Sequence, residues 1–207
     1  MLLALSSTAL VAGCVSTQLE PVASAEEIPW SADRPLSWDD FLGSVDPHAP
    51  TERIAITAAS IRWGYEYRIE RDGGDCAYRF TNVHSEATFG PRDSWVRPDH
   101  RNAAVLIHEQ GHFDLTQIYE RMFEERATTL IGVRNPCEGG TLAEASKVAA
   151  AHAAALLQTV FDGIRQRLTA AQAAYDDQTR HGIETQPQML WTDRIQRGLQ
   201  TGTWSMD

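Results

Sequence analysis

Residues 61–81 read IRWGYEYRIERDGGDCAYRFT. Ile61, Trp63, Tyr65, Tyr67 and Ile69 fall on alternate positions, with Arg62, Gly64, Glu66, Arg68 and Glu70 in the gaps. A strand sends successive side chains to opposite faces, so this pattern is a half-buried strand with one apolar face. The RDGGD run is turn chemistry. Cys76, Tyr78 and Phe80 then alternate again, and the whole stretch predicts a β-hairpin. Ile54 and Ile56 are candidates to begin the first strand earlier. A weaker alternation from Val83 to Phe89 is a candidate to lengthen the second.

On the C-terminal side of the hairpin the period changes. Val105, His108, His112, Leu115, Tyr119 and Met122 recur at helical spacing. They predict a helix capped by Asp99 or Asn102 and running to about Ile131. GVRNPCEGG, residues 132–140, interrupts it. Thr141 and Glu144 form a capping box for a second, Ala-rich helix that continues to about Asp177, with Gly163 a candidate bend. Gly182 in TRHG suits the position after a helix end, and a short last helix over about 186–199 follows Thr185. No internal repeat is present. Strands first and helices later argue an α+β domain, a small antiparallel β-sheet followed by long helices, rather than alternating βαβ units.

The chain of 207 residues is long enough for one ordinary domain with a sizeable core. Hydrophobic residues at 43% and charged residues at 22% fit a soluble globular protein. The formal net charge of −10 argues against a nucleic-acid partner, because phosphate binding needs a basic face. MLLALSSTALVAGC, residues 1–14, carries no charged side chain and is too short to span a bilayer. It reads as the apolar part of a secretory signal, although no Lys or Arg precedes it. LVAGC resembles a bacterial lipobox, which makes Cys14 the expected lipidation site and the membrane the expected attachment. Val15 after it resembles outer-membrane sorting. The expected location is therefore the periplasmic side of the envelope. Residues 15–28 read as a flexible tether, and 29–200 as the single domain. Cys76 and Cys137 are then the expected disulfide of an exported chain. Such a bond closes a loop of about 60 residues, worth roughly 4 kcal/mol in the chain-entropy account.

The first long helix carries LIHEQGHFDL, residues 106–115. Residues i and i+4 share a helix face, so His108 and His112 can chelate one ion, and zinc takes imidazole nitrogens at about 2.0–2.1 Å. Glu109 flanks that ion as a candidate general base, taking a proton from a water whose pKa the ion lowers to about 7. Three fixed positions also arise by chance. Gly111 sits mid-helix at a cost of about 1 kcal/mol against Ala, so something packs closely there, either the site or a neighbouring helix. Position 118 is Ile and 115 is Leu, which excludes the metzincin pattern and leaves the third ligand to come from elsewhere.

HEQGHFDLTQIY, together with YDDQTRHG, PLSWDDFLG and DSWV, resembles the bacterial family catalogued as domain of unknown function 922. Its members are described as zinc-dependent proteases. The likeness covers roughly Pro29 to Leu199. It implies a zincin-like fold with the metal motif on the first long helix, Zn2+ as cofactor, and peptide-bond hydrolysis of a protein or peptidoglycan peptide. For the third ligand, a straight antiparallel helix pair brings residues around 158–165 level with the motif and favours Asp162. It leaves Glu138, Glu144 and His152 too near the connection. The likeness concentrates in YDDQTRHG, which favours His181 as ligand, with Asp176 behind it or as the alternative ligand. Asp114 is a candidate partner of a ligand His or a solvated acid. Tyr175 is a candidate oxyanion donor or a packing residue. A zinc-binding module without catalysis, and an interaction protein whose motif is only helix surface, remain as alternatives.

Overall fold

In the computed structural model the hairpin is longer than its clearest alternation. Residues 15–19, 27–72, 75–202 and 204–205 are described, so the turn expected at Gly73 and Gly74, and the lipidation expected at Cys14, lie outside them. Strands β4 (Ala59–Asp72) and β5 (Asp75–Phe89) pair antiparallel from Ala59 opposite Phe89 to Asp72 opposite Asp75. The register shifts between Glu66 and Tyr67, leaving Thr81 as an extra residue on β5. Cys76, Tyr78 and Phe80 are buried on one side of this bulge, and Val83, Ala87 and Phe89 on the other. The inward positions change from even to odd, which is why the alternation after Val83 looks weak when read in one phase.

The hairpin is the centre of a larger sheet. Strand β1 (Val15–Leu19) pairs with β4, while β2 (Ile28–Pro29) and β7 (Asn135–Pro136) pair with β5. Val15–Leu19, read from sequence as part of the tether, therefore has strand backbone along the open edge of β4. Ile54 and Ile56 do not extend β4. Ala55–Ile56 is a separate strand, β3, paired with β6 (Trp95–Val96). The chain turns between them because Ala58 is held elsewhere: its N–H donates to Ser94 Oγ at 2.9 Å and its carbonyl accepts from Gly90 N–H at 2.8 Å.

Helix α1 (Ala103–Thr128) begins where Asn102 Oδ1 accepts the Val105 N–H at 3.1 Å, and ends a few residues before Ile131. Helix α2 (Leu142–Thr179) opens with the Thr141–Glu144 capping box. Its left-handed cap is Arg180, not glycine, and His181 and Gly182 continue at φ 55° and 82°. Helix α3 (Thr185–Thr201) follows. None of these helices is long and apolar enough to cross a membrane.

The expected helix register is corrected. Gln172 and Asp176, not residues 158–165, lie level with His108 and His112. The connection between α1 and α2 is not a tight turn. It runs back along β5 as β7, and Cys137 is bonded to Cys76, Cα to Cα 5.0 Å. Helix α2 therefore starts out over the sheet. Ala145, Ala149 and Ala153 are buried in the same cluster as Tyr65 and Tyr67, whose hydroxyls reach carbonyls of Ala150 and Ser146. Only the second half of α2 reaches the histidine turn of α1. Leu115, Ile118, Tyr175, Trp191 and Ile195 fill the space among α1, α2 and α3.

Candidate metal centre

Helix α1 presents His108, 1% exposed, and Glu109, 4% exposed, to a cleft, with His112 one turn on. Helix α2 brings Asp176 against them. His108 Nε2 lies 3.1 Å from Asp176 Oδ1 and 3.1 Å from His112 Nε2, and His112 Nε2 lies 3.0 Å from the same oxygen. Three ligand-type atoms thus form a nearly equilateral triangle. Around a tetrahedral zinc with bonds of about 2.05 Å, neighbouring ligand atoms lie ~3.3 Å apart, so the triangle needs to open only slightly.

The opposite ring nitrogens fix where the protons are. His112 Nδ1 meets Gln172 Oε1, while the Gln172 amide donates to the His112 carbonyl at 2.9 Å and faces Thr116 Oγ1 at 3.4 Å. His108 Nδ1 meets Gln188 Oε1 at 3.1 Å. The Gln188 amide donates to the Tyr175 hydroxyl at 2.7 Å and to Thr192 Oγ1 at 3.2 Å. Both glutamines therefore turn oxygen toward imidazole, so both histidines carry hydrogen on Nδ1. In their neutral forms both Nε2 atoms point lone pairs at a carboxylate oxygen. Three acceptors at 3.0–3.1 Å repel unless positive charge sits among them. The titration of the groups carries the same sign. For His112, burial works to lower the pKa, but the Asp176 hydrogen bond and the Glu109 charge raise it overall. For Asp176, burial works to raise the pKa, but His108 and His112, which donate to it from Nε2 when protonated, hold it far below the usual carboxylate range.

His181 joins from the turn after α2. Its Nδ1 lies 3.2 Å from Asp176 Oδ1, and one atom each of His108, Asp176 and His181 fall within 4.8 Å of one another. Of the two residues expected to complete the site, Asp176 is the one that reaches both motif histidines, with His181 beyond it. The turn is packed tightly: a Cβ on Gly182 would come 2.8 Å from His108 Cβ. Gly111 is explained by packing. A Cβ there would sit 2.3 Å from the Tyr175 hydroxyl, whose ring stacks on His108 at 4.5 Å between centroids. That hydroxyl donates to the His108 carbonyl at 3.2 Å, so Tyr175 positions the histidine turn of α1 and is not aimed at an oxyanion.

The remaining candidates lie elsewhere. Asp162 is exposed and paired with Arg165, and Glu144 caps α2. His152 sits on the outer part of α2 with its ring edge against Tyr78. Asp114 accepts from Trp30 Nε1 at 2.8 Å and Gln110 Nε2 at 2.7 Å and touches neither motif histidine. Thr57, which the sequence did not suggest, donates to Glu109 Oε2 at 2.7 Å. Gln172 was equally missed. Its i, i+4 relation to Asp176 on one helix was the available signal. The cleft, about 470 Å³, runs between the β3–β4 segment and α2. No known protein family, curated protein or solved structure matches this chain.

Proposed function

We propose that the chain is a zinc-dependent hydrolase of peptide bonds at the periplasmic face of a bacterial membrane, in a zincin-like arrangement. The observation that supports it is the triangle of His108 Nε2, His112 Nε2 and Asp176 Oδ1, which holds no hydrogen in its neutral form and opens onto a cleft beside Glu109. The location and the lipid on Cys14 rest on the LVAGC stretch alone.

His108, His112 and Asp176 would hold the ion, with His181 against Asp176. A bound zinc ion polarises a carbonyl and lowers the pKa of a water to about 7. Thr57 fixes one oxygen of Glu109, and the other would act on a water held by the ion. Glu109 takes a proton from that water as its oxygen bonds to the carbonyl carbon. It then gives the proton to the amide nitrogen as the C–N bond breaks. The Gln172 and Gln188 contacts keep both imidazoles in the tautomer that the ion requires.

One observation favours a second reading. His181 stands 3.2 Å from Asp176, and four protein ligands make a closed structural zinc site, which would be a zinc-binding module without catalysis. Zinc content and peptidase activity of wild type and Glu109→Gln separate the two. In the hydrolase both proteins bind zinc, and the variant loses at least ~100-fold in cleavage rate. Undiminished cleavage by zinc-loaded Glu109→Gln would overturn the assignment. A zinc-replete wild type that cleaves no peptide, yet unfolds on chelation, would establish the silent module.

A further inference from the structure

The α2 wall of the cleft is one stripe. Phe161, Arg165, Leu168, Gln172 and Asp176 follow at spacings of four, three, four and four residues, which is one face of a helix. Gln172 and Asp176 belong to the metal centre, and the other three face open space beside it. Phe161 is a fixed wall, its ring 5.7 Å from Phe123 and 6.0 Å from Trp63. Ile61, 8% exposed, and Leu168 continue this apolar surface toward the centre. Arg165 stands over it. Its one ionic partner among the described residues is Asp162 at 3.1 Å, both side chains being exposed. Such a surface pair is worth little, and a guanidinium has five donors to offer. On the facing wall Arg53 is exposed, and its guanidinium has no partner among the described residues. The chain as a whole carries −10, and the cleft's own carboxylates, Glu109 and Asp176, are engaged at the centre. Two arginines facing an open cleft on an acidic protein single out an anionic ligand.

Helix rise places Leu168 about 12 Å and Arg165 about 16 Å from Asp176 along α2. An extended peptide covers that distance in roughly four to five residues. We infer that the cleft takes an extended protein segment in which a bulky apolar side chain and a carboxylate stand close together, about four to five residues from the bond that is cut. The apolar side chain packs on Leu168, Ile61 and Phe161. The carboxylate is held by Arg165, with Arg53 attracting the same charge from the other wall. This rests on the hydrolase reading above.

The test uses zinc-loaded Glu109→Gln protein and fluorescein-labelled peptides read by anisotropy. One peptide carries Leu and Glu at those positions, a second Leu and Gln, a third Ala and Glu. The second and third should bind roughly tenfold more weakly than the first, as the loss of one charge-assisted hydrogen bond or one buried side chain would give. Arg165→Glu in the same background should abolish the preference for Glu over Gln. Equal affinities for all three peptides, absence of binding by any, or a charge preference untouched by Arg165→Glu would overturn the inference. Cleavage by wild type is scored separately. Cleavage without sequence preference removes the inference and leaves the hydrolase, whereas selective binding without cleavage removes the hydrolase and the reference to a cut bond and leaves the recognition of the apolar side chain and the carboxylate.

Discussion

Asp114 and Asp176 are both carboxylates close to the histidine turn of α1, and the fold pushes them in opposite directions. Asp114 is buried, and burial raises its pKa despite the hydrogen bonds from Trp30 and Gln110. A carboxyl whose folded pKa is raised favours folding while protonated, so its penalty appears as pH climbs through the raised value. Asp176 is the reverse: its stabilisation is present above the ordinary value of about 3.9 and is lost below it. Asp114→Asn keeps an oxygen for Trp30 and Gln110, gives up only the long 3.5 Å contact from Gln196, and removes the charge. Its Tm should exceed that of wild type at pH 8 and converge with it near pH 4. A difference of the same size at both pH values would contradict this. His108, Glu109 and His112 were legible because four residues on one helix fix their mutual geometry. Thr57, Gln172 and Gln188 were not, because they meet the motif across 52, 60 and 80 residues of chain. No local pattern encodes such a meeting.

Among the elements, the hairpin and the three helices could be read from period and caps, whereas the phase of β5 and the offset of α2 could not. Thr81 changes the face of every later residue in β5 by adding one position to the strand. Deleting it should force either Val83, Ala87 and Phe89 or Cys76, Tyr78 and Phe80 outward. Each large apolar side chain so exposed costs about 1.5–3 kcal/mol, so the deletion variant should fail to give a cooperative unfolding transition by circular dichroism, while Thr81→Ser should melt like wild type. The offset of α2 escaped the sequence for a different reason. Helix lengths give a register only when the connection is tight, and here β7 and the Cys137 bond take the connection to the sheet before α2 begins.

For the molecule as a whole, the disulfide ties the sheet to the start of the helix that carries Asp176. Cys76 and Cys137 are separated by 61 residues, and the chain-entropy account gives about 4 kcal/mol for closing such a loop. The double Cys76→Ser, Cys137→Ser variant should show a lower denaturant midpoint with an unchanged far-UV spectrum, measured with zinc present. A midpoint equal to wild type would show that the bond contributes nothing. Saturating zinc should raise the Tm of wild type and chelation should lower it, by an amount that follows free zinc over its dissociation constant. His108→Ala should remove most of that dependence.

The stripe from Phe161 to Asp176 has a consequence for how this gene can change. Each residue added to or removed from a helix rotates everything beyond it by about 100°. One inserted codon between 161 and 176 would therefore turn part of the cleft wall away from His108 and His112, although every side chain were kept. Replacements at exposed positions of the same segment, such as Gln166, Arg167, Ala170 and Ala173, leave that phase alone. A library of single-codon insertions, deletions and substitutions across α2 should split accordingly, with length changes lost between 161 and 176 and outer-face substitutions retained.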